Sequence, residues 1–404
     1  MPPITIHRKG EQIMYDLLKE NFRAQFGANA QYIFSAPGRS ELSGNHTDHQ
    51  HGCVMAAAVN RETVAAVAEN GTMTVKLLSE GYPLCCVDLT DMTVHPEEEN
   101  STPALIRGVA SCFQSYGLRG FDAYVTSNVL SGSGLSSSAA FEVLIGTILN
   151  HLTGAGKNAI EIAQIAQYAE NVYFGKPCGL MDQMASSVGN MIGIDFEDPK
   201  NPVVTPIPFD FSTSGYSLCI IDSGASHADL TDEYAAITRE LKAVCAVFGK
   251  DYLRQIPEEE FYSRIAQVRA AAGDRAVLRA VHVYAENKRV QKQRDALLSG
   301  DFDTFLYYVK ESGMSSWRLL QNVVPAGRKE QQEVAYALAV AEHLLQGRGG
   351  CRVHGGGFAG TIQAFVPNDM LEAFRTGMDA ALHEGSCQVM SIRKEGGILV
   401  EVCK

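Results

Sequence analysis

Gly132-Ser133-Gly134-Leu135-Ser136-Ser137-Ser138-Ala139-Ala140 lies between an alternating run, Phe121–Val129, and a long apolar stretch from about Ser136 to Leu152. The alternation reads as a strand and the apolar stretch as a helix. Glycines at such a junction let the backbone approach a ligand, and the free amides of a helix start point at an anion. The segment therefore reads as an anion cradle, with a serine-rich helix cap as the competing reading. It lacks the G-K-[ST] ending of a Walker loop. The spacing is also wrong for a dinucleotide fingerprint, and no strand with a ribose-binding acid follows.

Working outward, residues 12–27 carry an amphipathic helical pattern, and Ala30–Ala36 reads as a strand running into a Pro37-Gly38 turn. Strand-like runs follow at Val54–Val59, Val64–Ala68 and Met73–Leu78, and helical spacing returns from Pro103 to Tyr116. Strands and helices mix without a strict βαβ repeat, which favours an α+β layout. Glu197-Asp198-Pro199-Lys200-Asn201-Pro202 is the most linker-like stretch, so the expected division is 1–200 and 201–404. Beyond it the pattern is mostly helical, including Asp232–Phe248, until strands return at Thr361–Val366 and Gly397–Val402.

The 404 residues carry 34 Lys plus Arg against 46 Asp plus Glu, a net charge of -12 that disfavours nucleic acid or anionic lipid as the main partner. Ten cysteines without a C-x-x-C match neither a disulfide framework nor a zinc ribbon. Met1-Pro2-Pro3-Ile4-Thr5 lacks a signal-peptide start, and no stretch approaches the roughly 20 apolar residues of a membrane span. A soluble, cytoplasmic protein is expected. The oligomeric state is not fixed by the sequence, and a monomer is compatible with it.

Two further segments carry chemistry. Ala169 to Met184 places Glu170 and Asp182 on either side of a turn, and Asp182 stands among Leu180, Met181, Met184 and Ala185. A carboxylate in such company needs a cationic or hydrogen-bonding partner in a cleft, unless it simply caps a helix. Pro37 to Gly52 packs His46, His49, His51, Asp48 and Glu41 into eleven residues. His46, Asp48, His49 and His51 have zinc-type donors, although extended spacing throws alternate side chains to opposite faces. Asn45, His46 and Asp48 offer instead the mixed donors and acceptors that fix a polyol. A solvated polar turn is the third reading.

Together these segments resemble the galactokinases, within the wider family of homoserine, mevalonate and phosphomevalonate kinases. Pro37 to Gly52 is similar to the family's P-G-R-x-N-L-I-G-E-H-T-D-Y-N-x-G, Gly134 to Ala139 to G-L-S-S-S-A, and Ala169 to Gln183 to A-E-x-x-x-x-G-x-x-C-G-x-M-D-Q. Gly355 to Gly360 resembles G-G-G-F-x-G, and Arg279 to Val290 resembles R-A-x-H-V-x-x-E-N-x-R-V. The motifs run in family order from residue 37 to residue 360.

The resemblance implies an α+β fold of two domains, the first like ribosomal protein S5 and the second ferredoxin-like with extra helices, with substrate and ATP between them. It implies in-line phosphoryl transfer from ATP to the anomeric hydroxyl of galactose. Asp182 would be the proton acceptor, and Arg39 would stabilise the phosphoryl charge and keep Asp182 ionised. Gly132, Ser133, Gly134, Leu135, Ser136, Ser137 and Ser138 would wrap the ATP phosphates. Ser138 and Glu170 would hold Mg²⁺. Asn45, His46, Thr47, Asp48, Gly179 and Tyr234 would bind the sugar.

The sequence departs from the pattern at informative places. Asn45 replaces the glutamate that accepts from the sugar's 6-hydroxyl, which opens a 6-carboxylate sugar such as galacturonate as an alternative substrate. His49-Gln50 replaces Tyr-Asn, His354 replaces a threonine, and no aromatic stands in Ser101–Val109 where the family stacks adenine. A non-catalytic galactose and ATP sensor is the other alternative, but Arg39, Asp182 and Ser136 to Ala140 are intact.

Overall fold

The structure is a computed structural model that describes residues 9–129, 134–226 and 230–403. Its first sheet runs β12-β1-β2-β5-β3-β4. These strands are β1 (Tyr32–Ser43), β2 (Cys53–Glu69), β3 (Thr74–Ser79), β4 (Cys85–Asp88), β5 (Phe121–Ser127) and β12 (Ile398–Val402). β6 (Met191–Asp195) joins β2, and β7 (Val203–Pro206) joins β6. Every pairing is antiparallel except β3 with β5. The second sheet, β11-β8-β10-β9, is antiparallel throughout and is built from β8 (Tyr216–Ala225), β9 (Gly350–Val353), β10 (Gly360–Pro367) and β11 (Cys387–Met390).

The apolar helix read after the cradle is Ser137–Thr153, and Val143, Leu144, Ile145, Ile148 and Leu149 bury its face against Phe34, Ala65, Val67 and Val125 of the first sheet. The second sheet packs Ile221, Ile362 and Ala364 beneath the helices Glu333–Leu345 and Leu371–Ala381. Its other face places Leu218, Ile220 and Phe365 in one cluster with Leu42, Met55 and Val59 of the first sheet. The two halves therefore share a core, and the α+β architecture stands.

Three local readings change. β1 does not turn at Pro37-Gly38 but continues to Ser43 through a register shift between Pro37 and Arg39. There the Pro37 carbonyl accepts from Ser186 Oγ at 2.7 Å and the Arg39 amide donates to Leu135 O at 2.9 Å, so a bulge takes the place of a turn. The runs at 54–59 and 64–68 are one strand, β2. Glu197 to Pro202 is the loop of the β6–β7 hairpin, and the first sheet draws strands from beyond residue 200, β7 and the returning β12. A division at that residue is therefore not a clean cut through the fold.

Candidate active site

Asp182 is the second residue of the helix Met181–Val188, whose N-cap position is Leu180, so its carboxylate caps nothing. It receives instead a two-pronged salt bridge from Arg39 on β1, Nε to Oδ1 and Nη2 to Oδ2, both at 2.7 Å. Arg39 Nη1 donates to Gly134 O at 2.5 Å, which ties the pair to the cradle. Ser136 adopts a left-handed backbone (φ 58°) and sends its hydroxyl to Asp182 Oδ2 at 2.8 Å. Burial alone would push the Asp182 carboxyl up, but Arg39 and then Ser136 outweigh it and hold it below the usual carboxylate range. Its side chain still keeps 30% of its surface open to a cavity.

That cavity, about 230 Å³, is lined by Arg39, Glu41, His46, Asp48, Gly179 and Asp182, among others. It is smaller than the roughly 300–1,000 Å³ of drug-sized pockets and suits a small polar ligand. Asp48 lies against Gly179, where a Cβ would collide with Asp48 Oδ2. Burial raises the Asp48 carboxyl above its usual value, against the pull of His46. His46 donates from Nε2 to Gly356 O at 2.9 Å and contacts His49 Nε2 through Nδ1 at 3.2 Å. Burial holds the His49 ring at about 3, and His51 turns away to stack on Tyr252 at 3.6 Å. Among the described residues no three His, Cys, Asp or Glu side chains converge as metal ligands.

The other expected sugar residues stand behind this wall. Thr47 is buried and donates to Gly44 O at 2.9 Å and Cys53 O at 2.6 Å, which fixes the loop. Tyr234 donates to Gly357 O at 2.8 Å and packs so closely behind Gly356 that a Cβ there would meet its ring at 2.7 Å. Asn45 is fully buried and does not face the cavity. Its amide nitrogen donates to Gly355 O (2.6 Å) and Glu41 Oε1 (3.3 Å), and its amide oxygen accepts from Asn322 Nδ2 (2.8 Å) and Ser316 Oγ (3.2 Å).

Next to the cradle, Ser138 Oγ donates to Glu170 Oε1 at 3.0 Å. Lys176 Nζ reaches the same oxygen at 3.3 Å, and Gln183 Nε2 reaches Glu170 Oε2 at 2.7 Å. Glu170 sits in a π-helical turn, Ala169–Tyr173, an irregularity frequent at functional sites. Leu135 is buried behind the cradle and Ser137 opens the following helix. Gly132 and Ser133 lie outside the described residues.

The motif at Arg279 to Val290 carries no role in the sequence reading, and the structure makes it a brace. The Asp274–Ser299 helix turns a row of polar side chains onto the back of the 43–53 loop. His282 Nε2 donates to Asn45 O at 3.0 Å, the Gly44 and Asn45 amides donate to Glu286 Oε1 at 3.3 and 3.4 Å, and the Cys53 amide donates to Asn287 Oδ1 at 2.8 Å. The available signal was the spacing of Arg279, His282, Glu286 and Gln293, all fully buried, at intervals of three, four and seven residues. Buried polar groups on one helical face demand partners.

The GHMP kinases N terminal domain family matches residues 104–190, and the galactokinase galactose-binding signature matches residues 20–69. Galactokinase of Glaesserella parasuis is 31% identical over 93% of this chain and 92% of its own length. Galactokinase of Streptomyces coelicolor is 32% identical over 86% of this chain and 87% of its own. The crystal structure of Lactococcus lactis galactokinase complexed with galactose superposes with a TM-score of 0.79 at 25% identity, covering 96% of this chain and 99% of that one. With these likenesses added to the Arg39–Asp182 pair at the cradle, the chain belongs to the galactokinase family of GHMP kinases.

Proposed function

We propose that the chain is an ATP-dependent galactose 1-kinase that converts α-D-galactose and ATP to galactose 1-phosphate and ADP. The observation that carries this reading is the Arg39–Asp182 pair, set in the wall of a cavity sized for a small ligand and tied to the cradle through Gly134 and Ser136. The likeness to a galactokinase complexed with galactose supports it.

The anomeric hydroxyl of the sugar is placed against Asp182, which is ionised at neutral pH and takes the proton as the O–H bond breaks. The sugar oxygen bonds to the γ-phosphorus in line with the breaking bond to the ADP oxygen. Arg39 sets its guanidinium fork beside the reacting centre, where it offsets phosphoryl charge and holds Asp182 in its charged form. The hydroxyl of Ser138 and the carboxylate of Glu170, both hard oxygen donors, fit Mg²⁺ in company with phosphate oxygens and water, and the Lys176 ammonium on Glu170 Oε1 marks the spot as one that takes positive charge. Bound there, the ion would neutralise triphosphate charge.

Three carboxylates, Glu41, Asp48 and Asp182, line the cavity, and Asn45 does not. A neutral hexose suits that acidic wall better than a 6-carboxylate sugar, which would bring a further negative charge to it. Incubating the protein with ATP, Mg²⁺ and a panel holding both galactose and galacturonate tests the reading. Galactose turnover that vanishes in Asp182→Asn is expected. Turnover of galacturonate in preference to galactose, or of neither, would overturn it.

A further inference from the structure

The family motif places an asparagine at the position of Glu41 and a glutamate at the position of Asn45, so acid and amide have changed places in this chain. The structure shows what the exchange does. Asn45 spends its amide on Gly355, Glu41, Ser316 and Asn322 and turns away from the cavity. Glu41, on β1, lines it. Among the described residues, both hydrogen bonds to the Glu41 carboxylate, from Arg352 Nη2 and Asn45 Nδ2, fall on Oε1, which leaves Oε2 for a ligand.

We propose that Glu41 is the specificity-determining carboxylate of the sugar cavity, accepting from a hydroxyl of the hexose at the end remote from the transferred phosphoryl, with Asn45 and Arg352 as its supports. The placement follows from strand geometry. Arg39, Ser40 and Glu41 pair in unbroken register with Ala58, Ala57 and Ala56, so Arg39 and Glu41 share a face about 6.6 Å apart along β1. Ser40 points to the other side, toward His354 and Gln363. One strand repeat therefore separates Glu41 from Arg39, whose guanidinium holds Asp182, and both carboxylates line the one cavity.

The charge is provided for as well. Arg352 is fully buried and pairs with Glu41, its other arm lies 3.9 Å from Glu286, and Glu286 pairs with Arg289 at 2.6 Å. Two acids and two guanidinium groups alternate, so the carboxylate offered to the sugar is part of a neutral chain.

The inference rests on the galactose-kinase reading, and the experiment separates the two. Steady-state kinetics of the wild type, Glu41→Gln, Glu41→Asp and Asn45→Ala would be measured on galactose and on its 2-, 3-, 4- and 6-deoxy analogues. The charge-assisted bond predicts that Glu41→Gln raises KM for galactose roughly 10- to 100-fold while KM for ATP stays within about twofold. One deoxy analogue, the one that lacks the hydroxyl in contact, should lose that penalty while the others keep it. Glu41→Asp, which keeps the charge, should show the same pattern in weaker form and carries the test if the amide variant does not fold. A penalty equal on every analogue, none on any, or the analogue-specific pattern appearing in Asn45→Ala instead would overturn the proposal for Glu41. Absence of turnover on galactose and all its analogues by the wild type would overturn the galactose reading itself, and the proposal with it.

Discussion

Ser136 and Asp182 are joined by a 2.8 Å hydrogen bond that exists because Ser136 has left the right-handed region. At φ 58° and ψ 71° it is the N-cap residue of the Ser137–Thr153 helix, yet its hydroxyl caps no amide and serves the carboxylate instead. A non-glycine residue held there carries backbone strain of about 1–3 kcal/mol, a cost that accumulates at functional sites.

Substitution separates the two effects. Ser136→Ala loses the hydroxyl and keeps the strain, whereas Ser136→Gly loses the hydroxyl and relieves it, so the glycine variant should be the more stable by about 1 kcal/mol in urea unfolding. Both should raise the apparent pKa of the acid limb of kcat/KM, since Ser136 is one of the groups holding Asp182 down. An acid limb unmoved in both variants would show that the hydroxyl does not act on Asp182.

Gly179 is required by space alone. Its Cβ would meet Asp48 Oδ2 head on, and Asp48 faces the cavity. Gly179→Ala should therefore push Asp48 into the sugar's place and weaken sugar binding by about 1–3 kcal/mol, roughly 5- to 150-fold. Nucleotide affinity should stay as it is, because the cradle at Gly134 to Ser138 lies outside that contact. Titration calorimetry with galactose and with ATP checks both halves, and an equal loss for both ligands would mean the substitution disturbs more than the sugar wall.

Much of this was legible in the residues. In Pro37 to Gly52, Gly134 to Ala139 and Glu170 to Asp182, residue types and spacing mark candidate sites with competing readings, and the family resemblance of the motifs taken together is what chooses among them. Side-chain direction is another matter. Asn45 reads as a ligand because its amide could face a sugar, yet it is captured by Ser316, Asn322 and Gly355, some 270 to 310 residues away, and no local pattern reports that. The same holds for Glu197 to Pro202, where turn-forming residues fit a hairpin loop and a linker equally well and only the β6–β7 register distinguishes them. Pro37-Gly38 reads as the end of β1 because Pro-Gly usually ends a strand, whereas a bulge secured by Ser186 and Leu135 lets it run on.

Glu286 is the keystone behind the sugar loop. It is fully buried, accepts from Arg289, Ser312 and two loop amides, and is held at about 2 because its cationic neighbours outweigh burial. Glu286→Ala would strand the largely buried guanidinium of Arg289, take one of two acids from beside the buried Arg352 and leave the Gly44 and Asn45 amides unpaired. A loss of about 3–5 kcal/mol is expected in urea unfolding. A loss below about 1 kcal/mol would mean the loop is held by other contacts.

The buried histidines set the acid limit of stability. His282 is fully buried, donates to Asn45 O through Nε2 and so accepts from Ser315 Oγ through Nδ1, an arrangement that only the neutral ring can hold. Burial lowers it from 6.5 to about 4, and His354 is driven well below its ordinary value by burial and by Arg39. A folded value below the unfolded one means that the stabilisation is complete above about pH 6.5 and erodes as pH falls toward 4, because the unfolded chain takes the proton first. For His282 the slope approaches about 1.4 kcal/mol per pH unit in that window. Asp48 and Glu142, whose carboxyls are raised, run the other way, so a comparison of variants is cleaner than the whole curve. His282→Gln keeps a donor for Asn45 O and does not titrate. Its stability should fall less steeply between pH 6.5 and 4.5 than that of the wild type, by about one proton's worth of slope, with the two curves parallel above pH 7. Curves that stay parallel throughout would show that His282 titrates alike in the folded and unfolded chain, and the buried neutral ring would have to be abandoned.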